Sequence, residues 1–149
     1  MIYLGADHGG YNFKENIKKF LDELKVEYFD LGNWKFEPED DYPDFAVVVA
    51  KKVAETGEKG IIFCTNGLGV CIVANKVKGI RAVAPITKKA AEQSREHLDA
   101  NILCLGAQIV SFRDAKKIIK TWLETEFVKK EKYIRRLKKI EDLENQWLK

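Results

Sequence analysis

The residues of this chain best suited to chemistry are a cysteine beside a glycine turn and a few acids and imidazoles at other turns. Residues 60–76 read GIIFCTNGLGVCIVANK. The apolar opening, Gly60-Ile61-Ile62-Phe63-Cys64, has the length and flanking turn signals of a short buried strand. It breaks into Thr65-Asn66-Gly67-Leu68-Gly69, and two glycines in three residues let a backbone turn sharply and come close to a ligand. Val70, Ile72, Val73 and Val77 then return at helical spacing, so a helix is expected from near Gly67. A strand, a glycine turn and a helix N-terminus in succession gather N–H groups at one point, where anions bind. A thiol facing such a point has its thiolate favoured. Cys64 stands where strand meets turn, the place where open α/β sheets hold their ligands.

Other polar groups fall at similar places. Asp7 and His8 end a first apolar run, and Asp41-Tyr42-Pro43 opens a helix. His97, Asp99 and Asn101 lie between a helix and a later strand, which need not bring them to the same edge within one subunit. A thiol, two imidazoles, two carboxylates and a glycine cradle suit proton transfer beside a carbonyl. Each part has a plainer reading: Cys64 as core, Asp7-His8 as a polar turn, His97 as a cap at a helix end. Gathered together they weigh towards catalysis, whereas Cys71 and Cys104 read as core. The chain has two histidines and no CxxC pair, so no metal set is evident. There is no Ser-His-Asp elbow, no Walker A loop, and no third glycine to complete a dinucleotide fingerprint.

These groups need a frame, and the hydrophobic pattern predicts one. Strands are expected over residues 2–6, 26–31, 60–64, 80–84 and 101–105. Helices are expected from about Asn12 to Lys25, from Asp41 to Gly57, after Gly67, from Thr87 to His97, from Ser111 to Phe127 and from Glu131 to Trp147. Strands alternate with helices and no hairpin signal appears, which predicts an α/β fold with a parallel sheet covered on both faces. The last helix carries Ile134, Leu137, Ile140, Leu143 and Trp147 on one stripe after the sheet is already complete. Its stripe packs either on a second subunit or back on its own domain.

The 149 residues suit one domain, and 46% apolar content places the chain among globular proteins. No apolar run is long enough to span a bilayer, and the N-terminus enters a strand without a leader-like segment. Three widely spaced cysteines suit a reducing compartment, hence the cytoplasm. The net charge is +3, with lysine and arginine crowded between Lys129 and Lys139. Glu131 interrupts the run and Glu141, Asp142 and Glu144 follow it, which fits a solvated helix face better than a nucleic-acid patch.

Several segments are more specific. ADHGGYNFK, DYPDFA, ANKVKGIRA, SREHLDANILCLG and RRLKKIEDLE resemble the type B ribose-5-phosphate isomerase family, which includes allose- and galactose-6-phosphate isomerases, and the match runs almost end to end. The resemblance implies a Rossmann-like three-layer α/β/α sandwich with a five-stranded parallel sheet and an extra C-terminal helix. It implies a homodimer or dimer of dimers with active sites shared between chains. It also implies interconversion of an aldose and a ketose phosphate through a cis-enediol(ate), without metal or cofactor. Ribose 5-phosphate and ribulose 5-phosphate are the leading pair. A six-carbon sugar phosphate, or a catalytically impaired sugar-phosphate-binding member, are the alternatives.

By resemblance, Cys64 is the general base. The turn Thr65, Asn66, Gly67 and Gly69 holds the enediolate, as an oxyanion site should. His97 opens the sugar ring, and Asp7 binds near the ring oxygen and hydroxyls. His8 contacts phosphate, Tyr42 lines the pocket, and Lys132 and Arg136 stand for two phosphate-binding arginines. The departures are as informative. Thr65-Asn66-Gly67 replaces Gly-Thr-Gly or Gly-Ser-Gly, which adds a side chain where backbone is expected to meet substrate. Leu98 replaces an asparagine that hydrogen-bonds the sugar. Gln108 replaces a phosphate-binding arginine. Lys132-Tyr133 replaces Arg-His, keeping a charge but losing the bidentate fork.

Overall fold

The computed structural model describes residues 1–148 of the chain. Five strands, β1 (Ile2–Ala6), β2 (Tyr28–Asp30), β3 (Lys59–Cys64), β4 (Ala82–Val83) and β5 (Ile102–Gly106), form one parallel sheet in the order β2-β1-β3-β5-β4. Six helices complete the fold: α1 (His8–Glu23), α2 (Tyr42–Thr56), α3 (Leu68–Ala74), α4 (Lys88–Leu98), α5 (Phe112–Glu124) and α6 (Glu131–Trp147).

The layers follow from handedness. A right-handed crossover that moves one way along the sheet puts its helix on one face, and the reverse move puts it on the other. The steps β1 to β2 and β4 to β5 run in one direction, so α1 and α4 share a face, and α5 joins them. Ile17, Leu21, Ala91, Ala115, Ile118, Ile119 and Trp122 pack there on Leu4, Ile61, Phe63 and Leu103. The steps β2 to β3 and β3 to β4 run the other way. Accordingly α2 and α3 pack Val49, Ala50, Val53, Val70 and Ala74 on Ile62, Ile102 and Cys104. Cys104 is buried and Cys71 lies at the margin of this core, as their plain reading anticipated.

Several boundaries differ from expectation: β2 is cut to Tyr28–Asp30, α5 ends at Glu124 rather than Phe127, and three further differences have a structural cause. Helix α1 begins at His8, four residues before Asn12, with the Asp7 carboxylate capping it through the Gly10 N–H. Gly9 and Gly10 belong to its first turn. A Cβ on Gly10 would stand 2.6 Å from the Cβ of Phe63, so only glycine lets this turn lie directly on β3. Helix α3 stops at Ala74, short of Val77, and β4 shrinks to two residues. The cause is Asn75, whose side-chain amide donates to the Ala82 carbonyl and accepts from its N–H, both at 2.9 Å. It thus occupies the outer edge of β4 as another strand would.

Helix α6 has no buried residue. It leans on the carboxyl end of α4 and on the loop before β4, where Glu144 accepts from the Gly79 N–H at 3.2 Å. Its stripe stays open, with Ile134, Ile140, Leu143 and Trp147 all exposed. Folding back on its own chain therefore covers little of it.

Candidate active site

Strands β1 and β3 are neighbours, with Ala6 paired to Phe63, so Asp7 and Cys64 leave the sheet side by side. The chain departs from β1 towards β2 and from β3 towards the far edge. That divergence is a topological switch point, where such sheets open a crevice at their carboxyl ends.

Cys64 is buried, and its sulfur accepts the Gly67 N–H at 3.1 Å. The thiol faces the Asn66 side-chain oxygen at 3.8 Å, and that oxygen also accepts the Leu68 N–H at 3.0 Å. Two of the N–H groups expected to form an open cradle thus have partners inside the turn. The departure at Thr65 also resolves: its hydroxyl lies against Gly9, where a Cβ would collide with it, so the side chain is turned towards α1. The backbone of Thr65 accepts from the Gln108 N–H at 2.9 Å, which brings Gln108 to the same edge, exposed. Tyr42, at the start of α2, lies across Gly69. A Cβ there would stand 2.7 Å from the ring, so glycine is what lets the phenol reach the turn.

The other side of the crevice holds a group the sequence did not single out. Asp40, in the irregular loop before α2, accepts both the backbone N–H of His8 at 2.9 Å and its Nδ1 at 2.7 Å. Its second oxygen accepts the Asn33 amide at 3.1 Å. Thirty-two residues separate Asp40 from His8, and nothing local marks the pair. The hydrogen bond to Asp40 raises the His8 imidazole above its ordinary value. Burial alone would raise the Asp40 carboxyl, but the two His8 N–H groups and the Asn33 amide outweigh it and hold it low. Burial raises the neighbouring Asp7 carboxyl despite the Gly10 N–H. Asp7, His8 and Asp40 place one donor atom each within 4.8 Å of one another, a grouping that could surround a cation. Here the His8 Nδ1 is engaged with Asp40 and Asp7 is spent capping α1.

Behind this cluster lies a buried cation. Lys14, fully enclosed, donates to Asp30 at 2.7 Å and to the Asn33 carbonyl. Lys18 reaches the other Asp30 oxygen at 3.0 Å. Burial lowers Lys14, while the Lys14, Gly32 and Lys18 donors keep Asp30 below the usual carboxylate value against its own burial. The loop that carries Asp40 is thus tied at Asn33 to the interior.

The remaining expected residues are elsewhere. Helix α4 runs antiparallel to the strands, so its carboxyl end returns to the amino edge of the sheet. Arg81, just before β4, fixes it there by donating to the carbonyls of Leu98 at 2.9 Å and Asp99 at 2.9 Å. His97 and Leu98 therefore sit at the edge opposite Cys64. The His97 ring stacks on Tyr133 of α6 at 4.7 Å between centroids, and the Lys132 ammonium lies 5.3 Å from the same Tyr133 ring. Arg136 follows one turn along, exposed. One chain thus carries two half-sets. Asp7, His8, Tyr42, Cys64, the 65–69 turn and Gln108 form one; His97, Leu98, Lys132 and Arg136 form the other.

A thiol, an imidazole and two carboxylates at the switch point of a parallel α/β sheet are the parts of an enzyme that moves protons on a small ligand. The chain belongs to the Ribose/Galactose Isomerase family, which matches residues 2–140. It is 41% identical over 128 residues to the ribose-5-phosphate isomerase B of Escherichia coli, covering 85% of each chain. The Clostridium thermocellum ribose-5-phosphate isomerase B structure superposes with a TM-score of 0.94 at 43% identity, covering 98% of both chains. The Mycoplasma genitalium ribose-5-phosphate isomerase B, solved with bound ribulose-5-phosphate, superposes at 0.92 with 37% identity, covering 97% of this chain and 96% of that one.

Proposed function

We propose that this chain interconverts ribose 5-phosphate and ribulose 5-phosphate, with Cys64 as the general base. The observation that carries the reading is the buried Cys64 sulfur under the Gly67 N–H, beside Asp7 and His8 at the switch point. In the open-chain aldose, the Cys64 thiolate takes the proton from C2. The electron pair moves into the C1 carbonyl, giving a cis-enediolate whose charged O1 lies at the turn, towards the Gly69 N–H, and whose O2 hydroxyl faces Asp7. The proton is returned to C1 while the O2 proton passes to O1, which leaves a C2 ketone and a C1 hydroxyl, the ketose. A cationic His8 holds a phosphate or hydroxyl oxygen by a charge-assisted hydrogen bond.

Ring opening and the far phosphate contacts fall to His97, Lys132 and Arg136. Because these lie at the opposite sheet edge in one chain, the reading requires a homodimer in which each subunit lends them to its partner. The open stripe of α6 supports this. Three free cysteines and a family of metabolic isomerases support a cytoplasmic setting. Among the described residues no helix is long and apolar enough to cross a membrane.

A second reading keeps the enediolate and changes the sugar to a six-carbon phosphate. Leu98 favours it, since it removes a hydrogen-bonding group expected to meet the five-carbon sugar. A coupled assay over five- and six-carbon aldose phosphates tests both. Turnover of ribose 5-phosphate with the highest kcat/KM supports the first; preference for a hexose phosphate replaces it with the second; no turnover of any leaves a binding protein.

A further inference from the structure

The isomerase reading gives His8 a role and gives Asp40 none, yet Asp40 is the group that decides how His8 is held. We propose that Asp40 is a positioning residue of the sugar-phosphate site, locking the His8 ring with its Nδ1 proton inward so that Nε2–H is presented to a substrate oxygen. This deepens the isomerase reading and rests on it.

The geometry is over-determined. One Asp40 oxygen accepts the backbone N–H of His8 at 2.9 Å and faces its Nδ1 at 2.7 Å. An ionised carboxylate only accepts, so the proton between them belongs to Nδ1. The Asp40 side chain is 5% exposed while the His8 side chain is 38% exposed. The acceptor is therefore interior and the imidazole stands at the surface of the crevice. Nε2 lies across the ring from Nδ1, away from Asp40. The other Asp40 oxygen is held by Asn33, which is itself held by Lys14, so the acceptor cannot swing away without breaking an interior network.

The charged groups facing His8 are Asp40 from the loop and Asp7, 4.0 Å away, from the end of β1. Glu37, paired with Lys35 at 2.8 Å, lies behind on the Asn33 amide. Both facing groups are acids, and both favour the imidazolium. A cation with a fixed outward N–H is what a phosphate or a sugar hydroxyl would meet.

The chain has two histidines, so long-range ¹⁵N–¹H spectra of the imidazoles are simple to assign, with His97→Gln identifying His8. In the unaltered protein, His8 above its midpoint should keep its proton on Nδ1; a neutral His8 protonated on Nε2 would overturn the proposal without any variant. In Asp40→Asn the His8 midpoint should fall, and KM for ribose 5-phosphate should rise about tenfold near neutral pH with kcat little changed. Asp40→Glu should recover part of the midpoint. An Asp40→Asn protein with the His8 midpoint and KM of the original would overturn it as well. The isomerase reading fails separately, if the unaltered protein turns over no aldose phosphate; the tautomer and midpoint would still decide what Asp40 does to His8.

Discussion

At the residue scale the site is a set of groups with separable tasks. Cys64 has one N–H on its sulfur and stands beside Asp7, so Cys64→Ala should abolish isomerisation and leave the fold intact. The check is solvent deuterium entry at the substrate C2: exchange at the original rate in the variant would remove Cys64 from the role and make Asp7 the next candidate. Cys71→Ala and Cys104→Ala should keep activity. His8 sets a pH window. Its raised value means the imidazolium persists to higher pH than in a free histidine and is lost as pH rises through that value. A phosphate monoester becomes dianionic above about pH 6. KM for the sugar phosphate should therefore fall as pH rises through that point, then rise again as His8 deprotonates, and Asp40→Asn should move only the alkaline limb. Gln108 and Lys132 replace arginines of the family pattern. Restoring both should lower KM for ribose 5-phosphate in steady-state assays; no change, or a rise, would mean that the pocket is rebuilt for another ligand.

At the scale of elements, the first two turns of α1 are tied to the end of β2 and to the loop before α2 by ion pairs and hydrogen bonds. Lys14 enters from α1, Asp30 from the end of β2, and Asn33 from the loop, and the ammonium of Lys14 is fully enclosed. Removing one partner of such a set leaves a buried charge without its counter-ion. Lys18 remains on Asp30, so Lys14→Met is expected to cost about 3 kcal/mol, the low end for a broken buried pair. Urea unfolding should show a lower midpoint at unchanged slope. The Asp30 carboxyl is held low by these donors, so its contribution is present above the unfolded value and lost as pH falls through the folded one. The acid end of the stability curve should therefore flatten in Lys14→Met relative to the original protein. Nearer β4, Asn75 takes the place of a strand on the sheet's outer edge, which blocks the pairing a bare edge would invite.

For the whole molecule, the separation of the two half-sets is the decisive fact. The carboxyl edge carries Cys64 and the amino edge carries His97, and α6 binds its Tyr133 to the latter. The α6 stripe would be worth roughly 1.5–3 kcal/mol per large side chain if buried. A second copy across a two-fold axis would cover the stripe and complete both sites, each chain lending the same residues to the other. Ending the chain after Glu131 should abolish dimer and activity together, read by sedimentation and the coupled assay at one concentration. A full-length protein that is monomeric and active at the same dilution would refute the shared site. A truncated protein that stays dimeric but inactive would keep the phosphate role of α6 and move the dimer contact to α3.

The sequence by itself determined what is local. Apolar runs with turn signals located all five strands, and Ser, Thr and Gly at helix ends located α4, α5 and the end of α2, because caps and periodicity are set within a few residues. It determined the strand, turn and helix around Cys64 for the same reason, and specific segments identified the family. Tertiary structure decided the rest. The order β2-β1-β3-β5-β4 depends on which crossovers skip a strand, and hydrophobic period carries no such information. The start of α1 at His8 depends on Phe63 lying under Gly10, a contact between residues far apart in the chain. The exile of His97 and Leu98 to the amino edge follows from α4 running antiparallel to the strands, since a helix between two parallel strands must carry the chain back. The His8–Asp40 pair joins a helix start to an irregular loop, and a hydrogen bond between two such places leaves no pattern in either segment.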